Sequence, residues 1–186
     1  MQTEKVLSMV LNCQLFTPPS FFEKAQSLKK EKKIYRFYFN GNMSSKGGRK
    51  ELLKKFLGKK SLIIESNYGR SFMTKSKFNF DYYNELSLSE FGLCPHQKDF
   101  MGSEKTMWTY RFIECCMVYT LPVTFIETPL GAEFTRGFVF YEDNHFDESD
   151  VKFNMILAKK NFDLAKERFT LNTEVVNSII NEKNKQ

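Results

Sequence analysis

Five short runs rich in aromatic, aliphatic and β-branched residues recur along this chain, and most are separated by stretches of helical periodicity. That alternation restricts the fold more than any other feature. KIYRFYFN (33–40) stops at Asn40-Gly41, a turn dipeptide. GGRKELLKKFL (47–57) follows, with Leu52, Leu53, Phe56 and Leu57 at helical spacing and basic residues between them. SLIIES (61–66) is the second apolar run, and a polar loop with Asn67, Tyr68, Gly69 and Arg70 comes after it. FDYYNELSL (80–88) reads as a short helix and EFGLCP (90–95) as a strand ended by Pro95. The loop HQKDFMGSEK (96–105) leads to a helix from about Thr109 to Thr120. PVTFIE (122–127) and GFVFYED (137–143) read as strands, and the tail from Asp147 is helical, with polar punctuation near Thr170.

Continuous apolar strands joined through helices form a parallel sheet covered on both faces. The expected fold is therefore α/β: one doubly wound, mostly parallel, Rossmann-like sheet spanning residues 33–186. Residues 1–32 are set apart as an N-terminal extension. Within it PPSFFEKAQSLKK (18–30) reads as a helix opened by prolines, and VLSMVLNC (6–13) fits either a strand or a helix.

The chain has 186 residues, 41% hydrophobic and 27% charged, which suits one domain with a sizeable core rather than a disordered segment. The net charge of +6 includes the run Lys29, Lys30, Lys32 and Lys33. A basic balance favours nucleotides, nucleic acid or anionic lipid as partners, although a run this short is equally a solvated surface. No stretch approaches the roughly 20 apolar residues of a membrane-spanning helix. The N-terminus, MQTEKVLSMVLNCQLF, has an early acidic residue and no small-residue cleavage site, so no signal peptide is expected. Cys13, Cys94, Cys115 and Cys116 read as reduced thiols of a cytoplasmic protein. The wealth of lysine and asparagine is compatible with a phage or AT-rich genome, and hence with a host cytoplasm.

Doubly wound sheets bind ligands beyond the carboxyl ends of their strands, where loops run into helix starts. The loop from His96 to Thr109 and the helix turn after it belong there. Arg111 and Glu114, at i and i+3, share one face of that helix. Free backbone N–H groups at the helix start, the Thr109 hydroxyl and the Arg111 fork suit phosphate oxygens. A carboxylate one turn later suits the vicinal hydroxyls of a ribose. The same pair is also compatible with a surface ion pair worth a few tenths of a kcal/mol. Arg49 and Lys46 lie near the start of the preceding basic helix, Asn40, Gly41 and Asn42 at a strand end, and Tyr68 and Arg70 in the next loop. Cys94 and His96 do not make a zinc site, because His145 is the one other histidine. No phosphate-binding GxxxxGK[ST] loop is present.

The run FGLCPHQKDFMGSEKTMWTYRFIECCMVYTLPVTFIETP resembles the sugar-nucleotide motif of exostosin-like glycosyltransferases. The matching positions are Cys94, Pro95, Gly102, Thr109, Arg111, Phe112, Glu114, Pro122 and Val123, with Ser103 and Tyr110 beside them. Upstream, YFNGN and GGRKELLKKF resemble the family's strand, Gly-Asn turn and Arg-bearing helix, so the likeness covers roughly residues 33–145. It implies the C-terminal, donor-binding half of a GT-B enzyme, which transfers a sugar from a nucleotide-diphosphate sugar without a metal or other cofactor. In that reading Arg111 and the helix start hold the diphosphate and Glu114 the ribose. Cys94, Pro95, Gly102, Ser103, Thr109, Tyr110, Arg49 and Asn42 line the pocket, and His96, Asp99 or Glu127 serves as general base. Arg111→Ala is then expected to weaken donor binding and leave the fold intact.

Two departures stand out. Cys115, Cys116, Tyr119 and Thr120 occupy the region where the family has alanine and, before Ile-Pro-Val, glycine. An N-terminal acceptor domain is also lacking, which points to a homodimer or a partner chain on the acceptor side, with a glycan or nucleic acid as acceptor. The alternatives are a basic nucleic-acid-binding or DNA-modifying module, and a non-catalytic interaction protein with a glycosyltransferase-like fold.

Overall fold

Tyr35–Gly41 (β1) alternates its bulk so that both faces are apolar: Phe37, Tyr38 and Phe39 are all fully buried. Such a strand belongs at the centre of a sheet covered on two sides, and in the computed structural model it lies there. Residues 17–43, 49–66, 78–95, 110–124, 134, 138–139 and 152–183 are described. The elements run α1 (Pro19–Gln26), β1, α2 (Arg49–Lys54), β2 (Ser61–Glu65), α3 (Phe80–Ser87), β3 (Ser89–Cys94), α4 (Tyr110–Met117), β4 (Leu121–Thr124), β5 (Phe138–Val139), α5 (Met155–Phe169) and α6 (Thr173–Lys183).

The sheet order is β2-β1-β3-β4-β5, and every neighbouring pair is parallel. This is the doubly wound α/β architecture that the alternation predicts. The chain steps from β1 outward to β2, then returns across β1 to β3, so the order reverses between β1 and β3. Phe37 and Phe91 share one face, where Phe37 meets Phe56 with ring centroids 5.0 Å apart. Tyr38 points to the other face, its hydroxyl donating to Glu85 Oε2 of α3 at 3.0 Å.

Three boundaries differ from expectation, each for a local reason. The helix predicted over 47–57 is regular only to Lys54. Beyond it the bonds tighten to i−3 (Lys55 N to Leu52 O, Phe56 N to Leu53 O), which turns Phe56 onto Phe37. The helix predicted to reach Thr120 stops at Met117, where Tyr119 takes a left-handed φ of 58°. Thr120 N bonds to Cys115 O and Tyr119 N to Cys116 O, the paired bonds of a Schellman cap. Glycine normally fills that position. Here Tyr119 is retained by stacking on Phe162 of α5, centroids 4.6 Å apart. The third difference concerns the extension. Phe21, Phe22 and Ala25 of α1 are buried in the common core, Phe22 lies 5.9 Å from Phe162, and Thr17 bridges Thr170. Helix α1 is thus packed against the sheet domain.

Lys33, just before β1, joins two helix ends: its Nζ donates to Ser87 O at 2.7 Å and to Tyr119 O at 2.9 Å. Burial pulls its pKa from 10.5 to about 7, against the raising influence of Cys115, Glu31 and Glu90. The unfolded chain therefore binds this proton more readily between those two values. The fold gains stability as pH rises from about 7 and lacks that gain below it. Thermal denaturation between pH 7 and about 9 should show a rising midpoint that Lys33→Met abolishes; an unchanged slope in the variant contradicts this.

Candidate functional site

The end of β1 is a place where a large side chain can cross the sheet. Arg111, in the first turn of α4, donates from Nη2 to Asn40 O at 2.6 Å, and its guanidinium lies 4.3 Å from the centre of the Phe39 ring. A Cβ on residue 41 would sit 2.6 Å from that nitrogen, so Gly41 is what permits the approach. Phe39 has the same strand parity as Phe37 and faces the α2 side. Cys115 of α4 presses on Gly92 and Cys94 from the opposite side. Arg111 thus reaches over the strand ends from one face toward the other.

Arg49 comes from α2, donating from Nη1 to Asn42 O at 3.0 Å and from Nη2 to Pro95 O at 3.3 Å. Two guanidinium groups therefore converge on the ends of β1 and β3, at the order reversal where sheets of this winding bind ligands. Of the residues proposed from sequence, Asn42, Arg49, Cys94, Pro95 and Arg111 gather here, and Tyr110 stands half-buried at the start of α4. Lys46, Tyr68, Arg70, His96, Asp99, Gly102, Ser103, Thr109, Glu127 and His145 lie outside the described residues.

Glu114 is deeper than the ribose assignment requires. It is 5% exposed, and its Oε2 accepts a 2.6 Å bond from the Tyr82 hydroxyl of α3. Burial, with Glu114 nearby, pushes the Tyr82 hydroxyl well above the usual tyrosine range. Burial acts to lower the Arg111 pKa, but Tyr82, Glu114 and the Cys94 and Cys115 thiols outweigh it, so this guanidinium is held charged. Cys94 also differs from its expected role. Its Sγ donates to Gly92 O at 3.4 Å and lies 4.0 Å from Cys115 Sγ, inside the sheet–helix interface, so only its backbone faces the crevice.

Among the described residues, the buried Arg111 Nε and Thr124 Oγ1 have no hydrogen-bond partner. Tyr82 and Thr124 were not singled out from sequence. Tyr82 reaches Glu114 across 32 residues, a pairing with no local pattern, although Asn79 capping α3 fixes the turn that presents it. Thr124, the last residue of a strand ending at the crevice, carried the one positional signal available.

No protein-family model matches the chain, and no curated protein matches it. Among the described residues no helix is long and apolar enough to cross a membrane.

Proposed function

We propose that the chain binds a nucleotide-diphosphate sugar at the ends of β1 and β3 and is a glycosyltransferase or its donor-binding domain. The convergence of Arg111 and Arg49 on the strand-order reversal carries this reading. Both cations are bonded to backbone carbonyls there, and Arg111 Nε keeps an N–H unpaired. A planar guanidinium fork matches phosphate oxygens. The lysine run gives it no support: it precedes β1, at the opposite end of the sheet, Lys29 pairs with Glu31, and Lys33 is tied to two carbonyls.

In this reading the sugar–oxygen bond breaks as negative charge grows on the departing diphosphate. Arg111, Arg49 and the start of α4 stabilise that charge without rearranging. Glu114 and Tyr82 act behind Arg111, favouring its charged form. Glu114 is 5% exposed and its Oε2 is engaged by the Tyr82 hydroxyl, so it is read here as a positioning residue. The acceptor hydroxyl needs a base, for which His96, Asp99 and Glu127 remain the candidates.

Titration calorimetry against UDP, GDP, ADP, dTDP and CMP tests the reading. One nucleoside diphosphate should bind, and Arg111→Lys, which keeps the charge but loses the fork, should weaken it by more than about tenfold. Absence of binding to all five, or equal binding by the variant, rejects it.

A further inference from the structure

A buried hydroxyl with no partner is costly to a fold, and native structures retain few of them. Thr124 is 4% exposed, and its Oγ1 has no hydrogen-bond partner. It is the last residue of β4, so it stands at the ligand-binding end of the sheet. Its strand-register partner is Cys94, and paired residues of neighbouring strands point to the same face. Cys94 Sγ lies 4.0 Å from Cys115 Sγ of α4, so Thr124 also faces the α4 side.

A second buried side-chain nitrogen without a partner, Arg111 Nε, belongs to the first turn of that same helix. Arg111 leans from α4 toward β1, whereas Thr124 stands on β4, with β3 between them. Strands are spaced about 4.8 Å apart, so the two donors flank the end of β3 rather than converge on a single point. An anion with two linked phosphoryl groups spans such a gap, and a lone phosphate does not.

We infer that Thr124 is a ligand-binding residue of this site, its hydroxyl donating to the second phosphoryl group of a diphosphate whose first is held by Arg111. The inference rests on the reading proposed above and adds to it a residue and a preference: diphosphate over monophosphate. It also explains why a threonine stands where valine would pack as well and leave nothing unsatisfied.

Calorimetry with inorganic pyrophosphate and inorganic phosphate, run beside thermal denaturation, provides the test. Wild-type protein should prefer pyrophosphate. Thr124→Val should weaken pyrophosphate about tenfold, leave phosphate unchanged and raise the melting temperature of the unliganded protein, since it removes a buried unsatisfied donor. Thr124→Ser, which keeps the hydroxyl, should retain the preference. Unchanged pyrophosphate affinity in Thr124→Val overturns the inference, as does a lowered melting temperature, which would mean that the hydroxyl serves the fold. If Arg111→Lys weakens pyrophosphate while Thr124→Val does not, the inference falls and the diphosphate site stands. If the wild-type protein binds neither probe, both fall.

Discussion

Arg111→Ala is expected to abolish diphosphate binding and to destabilise the fold by about 2–3 kcal/mol, from the loss of a charged hydrogen-bond donor to a backbone carbonyl and of a cation–π contact. The double effect arises because this side chain is a structural part as well as a candidate contact. Its loss leaves Asn40 O without the guanidinium donor, uncovers the face of the Phe39 ring, and strips the Glu114–Tyr82 pair of the cation that balances it. The same substitution therefore tests the fold as well as the site. Arg111→Lys should recover much of the stability, since the charge remains, but little of the binding. Urea denaturation read alongside calorimetry separates the two effects. An Arg111→Ala midpoint equal to that of the parent would show that the guanidinium is not holding the strand ends together.

Gly92→Ala is expected to cost about 2–3 kcal/mol, at the upper end for adding one methyl group to a packed core. The new Cβ would overlap Cys115 Sγ and touch Leu86 Cδ1 at 3.4 Å. Neither β3 nor α4 can easily withdraw. Gly92 is paired on both sides, with Tyr38 and with Pro122, and Cys115 is fully buried. Removing the thiol should relieve the clash. Cys115→Ala on its own leaves a small void, yet in the Gly92→Ala background it should restore most of the lost stability. Midpoints of urea unfolding for the four proteins, at equal slope, give the coupling directly. Strict additivity would mean that the strand had moved instead.

The alternation from Tyr35 to Val139 announced the parallel sheet, because unbroken apolar strands such as YRFYF are tolerated only between two covering layers. Thr170 likewise marked the break between the last two helices. What sequence could not disclose were events decided by partners far along the chain. Phe56 leaves its helix to reach Phe37, Tyr119 accepts a left-handed backbone in order to stack on Phe162, and Phe22 draws the first helix into the core. At the site, Arg111 was legible from its place in a helix start after a loop. Spacing alone could not tell that Glu114 would turn inward to Tyr82, since i and i+3 fix a shared face but not which way that face looks.

The all-parallel winding also determines how the protein must assemble. No described strand can pair with its sequence neighbour through a tight hairpin, and the central register joins segments as far apart as Arg36 and Glu90, 54 residues. Closing loops of that length before any pairing is gained makes such sheets slow to form. During synthesis β1, with its row of Phe37, Tyr38 and Phe39, must wait unpaired until β2 and then β3 emerge. In that interval it is a sticky edge offered to other chains. Expression at low temperature, or with a holdase chaperone present, should therefore decide how much of this protein reaches its folded state.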